Sequence, residues 1–317
     1  MTYFYVNFNT KQHGDSIMIK KALLTLFFIF IGNSLLNAKN LHLELTQLVN
    51  EAFEQEEAKN QVINLAALNK MLSQRMAKDA ILITQNINVD YYTKDLMDSG
   101  KKFDLFIQGM YKGNESLKLP KQTDKEILSE LNEINAVWKE FHIAIQNFYK
   151  NKKVDKEAYA IIINQNEKLM RLSHKLTQTL QSKHILDTQD NQVIVHTLKF
   201  ADRQRMLTQK MFKEKFLVYT KEDAERNNVR LRGSIILFKN GLEGLIKGDH
   251  KRGLKKVTSK PIQDKLQEMH ELYNEVEDLY KKDNVVLKEL KHLASIDKKL
   301  MGLSIEVVTM IENTLVY

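Results

Sequence analysis

The sequence predicts an all-α fold built as two tandem four-helix bundles, on three observations. Helix breakers are scarce: the only prolines are Pro120 and Pro261, and no glycine stands between Asn114 and Arg232. Stretches without either breaker favour long helices. The chain also repeats itself. Met71-Leu72-Ser73-Gln74-Arg75-Met76-Ala77-Lys78 returns as Met206-Leu207-Thr208-Gln209-Lys210-Met211-Phe212-Lys213, an offset of 135. The same offset relates Gly109 to Gly244, Lys112-Gly113-Asn114 to Lys247-Gly248-Asp249, and Trp138 to Tyr273. A fixed offset over this length marks an internal repeat. Third, Ile127, Leu131, Ile134, Trp138, Phe141, Ile145 and Phe148 alternate steps of four and three, and Ile262, Leu266, Met269, Tyr273, Val276 and Tyr280 repeat the pattern. That spacing is the seam of a helical bundle.

Composition agrees. Hydrophobic residues are 43% and charged residues 28% of the 317-residue chain, which is enough to bury a core. The formal charge of +8 is spread among Lys/Glu-rich helices. Nucleic-acid binding would want a clustered basic stripe or interleaved aromatics, and neither is present. With no cysteine, disulfides and thiolate chemistry are excluded.

The elements follow in chain order. Lys20-Lys21 precede the apolar run Ala22 to Ile31, then Gly32-Asn33-Ser34 break it, and Ala38 offers a small residue for cleavage. A charged n-region, short h-region and small residue read as a signal peptide over 1–38, with 18–38 the signal proper and Met18 an alternative start. Ten apolar residues fall short of the roughly 20 that span a bilayer. The expected destination is a bacterial periplasm; the alternative is an inner-membrane anchor formed by an uncleaved signal.

The first copy is predicted over 41–186, with helices near 42–87, 90–112, 123–149 and 155–186. The second is predicted over 189–317, with helices near 189–220, 222–247, 261–282 and 284–315. Gly113 and Gly248 stand where helix two should stop, and Pro120 and Pro261 stand just ahead of, or at the start of, helix three. Trp138 belongs to the seam and is read as core. Further on the offset becomes 131, relating Leu169-Met170 to Leu300-Met301 and Leu172-Ser173 to Leu303-Ser304. The second copy is therefore shorter near the loop at Asn151 to Asp155. The junction from Gln178 to Val195 contains neither Gly nor Pro, which predicts a continuous helix stacking the bundles end to end. Alternatively, Asp187-Thr188 starts a fresh helix and the chain turns.

The repeated motif lies within helix one. Ala67, Met71, Gln74 and Lys78 share a face in copy one, and Ala201, Arg205, Thr208 and Phe212 share one in copy two. A cation at a helical seam needs a partner, either a protein carboxylate or an anion from outside. On the first reading Arg75, Lys210, Gln74 and Gln209 fix bundle register. On the second, Arg205 or Lys70 points into a cleft and holds a small anion.

These residues resemble the periplasmic sensor domain of type IV pilus chemotaxis transducers, the PilJ type, related to the nitrate/nitrite sensor NarX. The carrier is the Arg-Met-x-Ser/Thr-x-Arg-like stretch, matched best by Arg203-Gln204-Arg205-Met206-Leu207-Thr208-Gln209-Lys210-Met211. Copy one departs, with Asn69-Lys70 where Gln-Arg would stand. The resemblance covers Leu41 to Tyr317 as two copies and implies four-helix bundles. It implies anion contact from Arg205, with Lys70 its counterpart, a second cation at Arg75 and Lys210, and Arg203 beside them. It implies nitrate or nitrite as ligand, bound across a subunit interface such as that of a homodimer. Because the chain ends after the second bundle, a membrane sensor partner is expected to carry the signal.

No catalytic constellation appears. There is no His-Glu-x-x-His, no repeated Glu-x-x-His, no Gly-rich phosphate loop and no Gly-x-Ser-x-Gly. His174 and His196 read as core or surface residues rather than ligands. A non-enzymatic protein without metal or cofactor is expected: a ligand-binding sensory module or, alternatively, a structural protein of the envelope.

Overall fold

The computed structural model describes residues 38–150, 153–184 and 189–313. Of the expected signal segment, residues 1–38, all but Ala38 lie outside the described residues. Among those described are eight α-helices: α1 (Ala38–Thr84), α2 (Val89–Lys112), α3 (Lys125–Phe148), α4 (Lys156–His184), α5 (Gln189–Tyr219), α6 (Ala224–Lys247), α7 (Lys260–Lys281) and α8 (Leu287–Asn313). No helix among the described residues is long and apolar enough to cross a membrane.

Helices α1 to α4 form one bundle and α5 to α8 the other. The predicted seam is the core of both: every one of its residues on α3 and α7 is buried, Trp138 and Tyr273 included. Trp138 stacks on Phe103 at 4.3 Å and donates its Nε1 to Asp104 at 2.9 Å. The α2 and α6 ends also repeat. Gly113 and Gly248 sit at φ 83° and 85°, and each donates its N–H to the carbonyl four residues back at 2.8 Å. Pro261 enters in the first turn of α7. The length difference between copies falls where expected: Tyr149–Lys150 and Lys153–Val154 pair as an antiparallel ribbon between α3 and α4. In copy two Lys282 to Val286 makes the same connection without one.

End-to-end stacking is not what the chain does. A helix continuing from His184 would carry residue 213 about 45 Å beyond the first bundle. Instead Lys213 donates to Gln74 of α1 and Asn166 of α4. The chain therefore reverses between α4 and α5, in line with the alternative of a turn, and the bundles lie side by side with α1 packed on α5. The two first helices run parallel. Their C-terminal ends lie together, where Tyr159 at the start of α4 donates to Glu222 just past α5 at 2.7 Å. The absence of a breaker misled because burying the two first helices against each other outweighs straight propagation of one helix.

Candidate functional site

The repeated motif is the seam between the copies. Lys78 donates to Gln209 Oε1 at 2.6 Å and Asp297 Oδ2 at 3.1 Å. Its counterpart Lys213 donates to Gln74 Oε1 at 2.7 Å and Asn166 Oδ1 at 2.8 Å. Gln74 and Gln209 are equivalent positions, as are Asn166 and Asp297, so the contacts obey a pseudo-two-fold axis within one chain. Both lysines are buried. Burial opposes the charge on Lys78, yet Asp297 and Asp79 hold its pKa above the ordinary value. Lys213 is pushed down by burial, with Glu167 opposing. Burial also pushes up Glu167, but Lys213 and Lys210 outweigh it and hold the carboxyl at about 2.

The five cations singled out from sequence divide into two groups. Arg75 makes a two-pronged pair with Asp95, Nε at 2.7 Å and Nη2 at 2.6 Å. Lys210 reaches Glu167 at 3.2 Å and also pairs with Glu214. Arg205 is 4% exposed and bonds Asp202 one turn back at 2.6 Å. These three are held by protein carboxylates: Arg75 within the first bundle, Arg205 along α5, and Lys210 across to α4.

Lys70 and Arg203 belong to the other group. They face an open cleft of about 270 Å³ between the copies. Arg171 and His174 of α4 and Lys199 of α5 also line it, and no Asp or Glu does. Met170, Met206, Leu207 and Leu237 form an apolar wall. Lys70 is pushed down by burial, partly countered by Asp202, and further by Arg205, Arg203 and Lys199. His174 is lowered by burial, then by Lys70 and Arg203. Among the described residues no carboxylate pairs with Lys70, Lys199 or Arg203; the Arg203 guanidinium rests on the Phe200 ring at 5.3 Å.

The pseudo-symmetric place across the axis is different. Arg205 stands where Lys70 does, and Asn64, Gly302 and Glu312 stand where Lys199, Arg171 and Gln181 do. There Asn64 donates to Glu312 at 2.8 Å, so that side supplies its own carboxylates. Sequence reading missed Arg171, His174 and Lys199. Arg171 and His174 come from helix four of copy one and Lys199 precedes the motif; only the packing of α5 against the first bundle brings them to Lys70.

The family model of the N-terminal part of type IV pili methyl-accepting chemotaxis transducers, PilJ, matches residues 52–162 and again 195–297. The two matched segments start in α1 and α5 and correspond to the two copies. No curated protein matches the chain.

Proposed function

The chain belongs to the PilJ family, the N-terminal domains of type IV pili methyl-accepting chemotaxis transducers, and on that premise we propose that it is a sensory module taking a small anion in the cleft between its copies. The observation that carries this reading is the cleft lining: Lys70, Arg171, His174, Lys199 and Arg203 converge without a carboxylate. Lys70 is partly buried and the other four are exposed at the cleft rim; like charges brought together there repel, and a bound anion relieves them. The guanidinium forks of Arg171 and Arg203 suit a planar oxyanion such as nitrate or nitrite, with Lys70 and Lys199 as point charges. Because both copies contribute, one chain contains the whole site, and no second chain is needed to complete it. We place the module in the periplasm, working with a membrane receptor or kinase that carries the signal inward.

The test is calorimetry and thermal shift of the mature chain against nitrate, nitrite and small carboxylates. Saturable binding is expected, weakened about ten- to a hundredfold by Lys70→Ala or Arg203→Ala. No heat and no thermal shift with nitrate or nitrite removes the nitrate version. Binding that survives both substitutions removes the cleft.

A second reading, an envelope protein whose motif is packing alone, is favoured by one observation: Arg75, Lys210 and Arg205 already have carboxylate partners. We adopt it for those three residues. Arg205→Ala is then expected to lower stability rather than anion affinity.

A further inference from the structure

A second cavity, of about 380 Å³, opens farther along the same inter-copy groove, at the C-terminal end of α5. It is distinct in character from the cationic cleft, because both signs of charge line it. Arg171 enters from α4 together with Glu167, which is paired with Lys213 of α5, Arg226 and Arg230 come from α6, and Glu222 and Asp223 from the corner between α5 and α6. Among the described residues Arg171 and Arg230 have no ion-pair partner, and Arg226 approaches Asp223 only loosely, at 3.7 Å. Asn227 also lines the cavity and is 4% exposed. Its Nδ2 donates to the Glu222 carbonyl at 2.7 Å, which leaves Oδ1 as a buried acceptor with no donor. A buried acceptor left unmatched costs free energy until a donor arrives.

The duplicate shows what the same place looks like when closed. The counterparts of Arg226, Asn227 and Arg230 are Tyr91, Tyr92 and Asp95. Tyr91 and Tyr92 meet edge to face at 5.0 Å, and Lys298, the counterpart of Glu167, lies 4.4 Å from the Tyr91 ring. Asp95 is occupied by Arg75. Copy one fills the space with aromatic rings and internal pairs. Copy two replaces both rings with polar side chains and leaves arginines open.

We propose that this cavity is a binding site for a free α-amino acid. The ligand carboxylate lies between Arg230 and Arg226, which present guanidinium forks suited to it, with Arg171 standing between this cavity and the cationic cleft. The ligand ammonium donates to Asn227 Oδ1 and is drawn to the Glu222 and Asp223 carboxylates. The volume lies within the range of small-ligand clefts and leaves room for a side chain. An isolated anion would satisfy the arginines but not the buried acceptor, and an amine the reverse.

The full chain is titrated with single L-α-amino acids, by calorimetry and thermal shift, up to about 1 mM. For each binder, the decarboxylated amine and the N-acetylated acid serve as partial probes. At least one amino acid is expected to bind saturably, with both partial probes at least about tenfold weaker. Arg230→Gln, a change at the cavity edge, is expected to weaken that amino acid at least about tenfold while nitrate or nitrite binding at Lys70 stays as it was. The double change Arg226→Tyr with Asn227→Tyr reproduces the closed arrangement of copy one and is expected to abolish binding. No binding by any amino acid, partial probes as tight as the parent, or a binder indifferent to Arg230→Gln would each overturn the proposal. If the double variant does not fold, Arg230→Gln alone decides.

Discussion

At position 241 the chain carries glycine beside a long neighbour. A Cβ there would overlap the Gln204 amide, which reaches across from α5 into the space on α6. Copy one solves the same contact the other way, with Phe106 on the second helix and the shorter Asn69 on the first. Gly241→Ala is therefore expected to destabilise by about 1–3 kcal/mol in urea titration, the usual cost of overpacking. An unchanged midpoint would mean that Gln204 has another place to go. Glu312 gives a pH prediction. Burial, and after it Asp202, push its carboxyl up to about 7, against the pull of Arg205. The unfolded value is about 4.3. The folded state thus binds this proton more tightly, so the stability it contributes is full below about pH 4.3 and is lost as pH rises through about 7. Glu312→Gln is expected to stabilise the protein at pH 8 by on the order of 1–3 kcal/mol and to flatten the melting temperature between pH 5 and 8. A wild-type profile already flat over that window would refute it. Of the five cations picked from sequence, the motif alone could not sort Lys70 and Arg203 from Arg75, Arg205 and Lys210. All five lie within or beside the same motif, and the carboxylates that claim three of them include Asp95 on α2 and Glu167 on α4.

The helices themselves were largely written in the chain. Seam spacing gave α3 and α7 to within a few residues, because a stripe on one face is enough to define an outer helix of a bundle. The first helices are different: from Leu207 to Leu217 every residue but Lys210 is buried. A helix covered on all sides carries no polar face, so its mixture of Met, Gln, Lys and Glu could not be read as amphipathic. Corners repeat in geometry where sequence does not. Asn86 and Asn88 take positive φ in copy one, and Lys221 and Asp223 take it at the equivalent positions in copy two. The stop after α6 depends on glycine. Gly248 has φ 85° and ψ 157°, a conformation nearly closed to other residues, and a Cβ there would sit 3.2 Å from the Lys256 backbone N. Gly248→Ala is expected to cost about 1–3 kcal/mol in denaturant midpoint. The same change at Gly233, where a Cβ meets nothing within 4 Å, is expected to cost nothing or to stabilise the helix slightly.

At the scale of the molecule, the two copies form one body. A single hydrophobic core runs from Val62 to Ile311, and the inter-copy seam adds the Lys78 and Lys213 clusters to it. Urea unfolding is expected to follow one transition. Glu167 is the carboxylate that compensates both Lys213 and Lys210. Glu167→Gln leaves Lys213 among neutral partners and is expected to lower stability by roughly 2–4 kcal/mol, within the cost of uncoupling a buried pair. Two separate transitions in the wild type, or a neutral Glu167→Gln, would show that the copies unfold independently. The pairing also explains why the two copies drifted apart. On one side of the axis Arg205 and Glu312 sit among internal partners; on the other Lys70 looks into an open cationic cleft.

The sequence by itself determined the all-α class, the duplication, the four helices of each copy, their glycine stops and the family. Each of these is encoded locally, by spacing, breakers and a motif at fixed offset. Only the tertiary structure decided that the copies lie side by side, that the motif is the seam between them, and that Lys70 and Arg203 face an open cleft while Arg75, Arg205 and Lys210 are paired to carboxylates. Those outcomes depend on residues far apart in the chain meeting across α1, α4 and α5, and no periodicity within one helix records which neighbour will cover it.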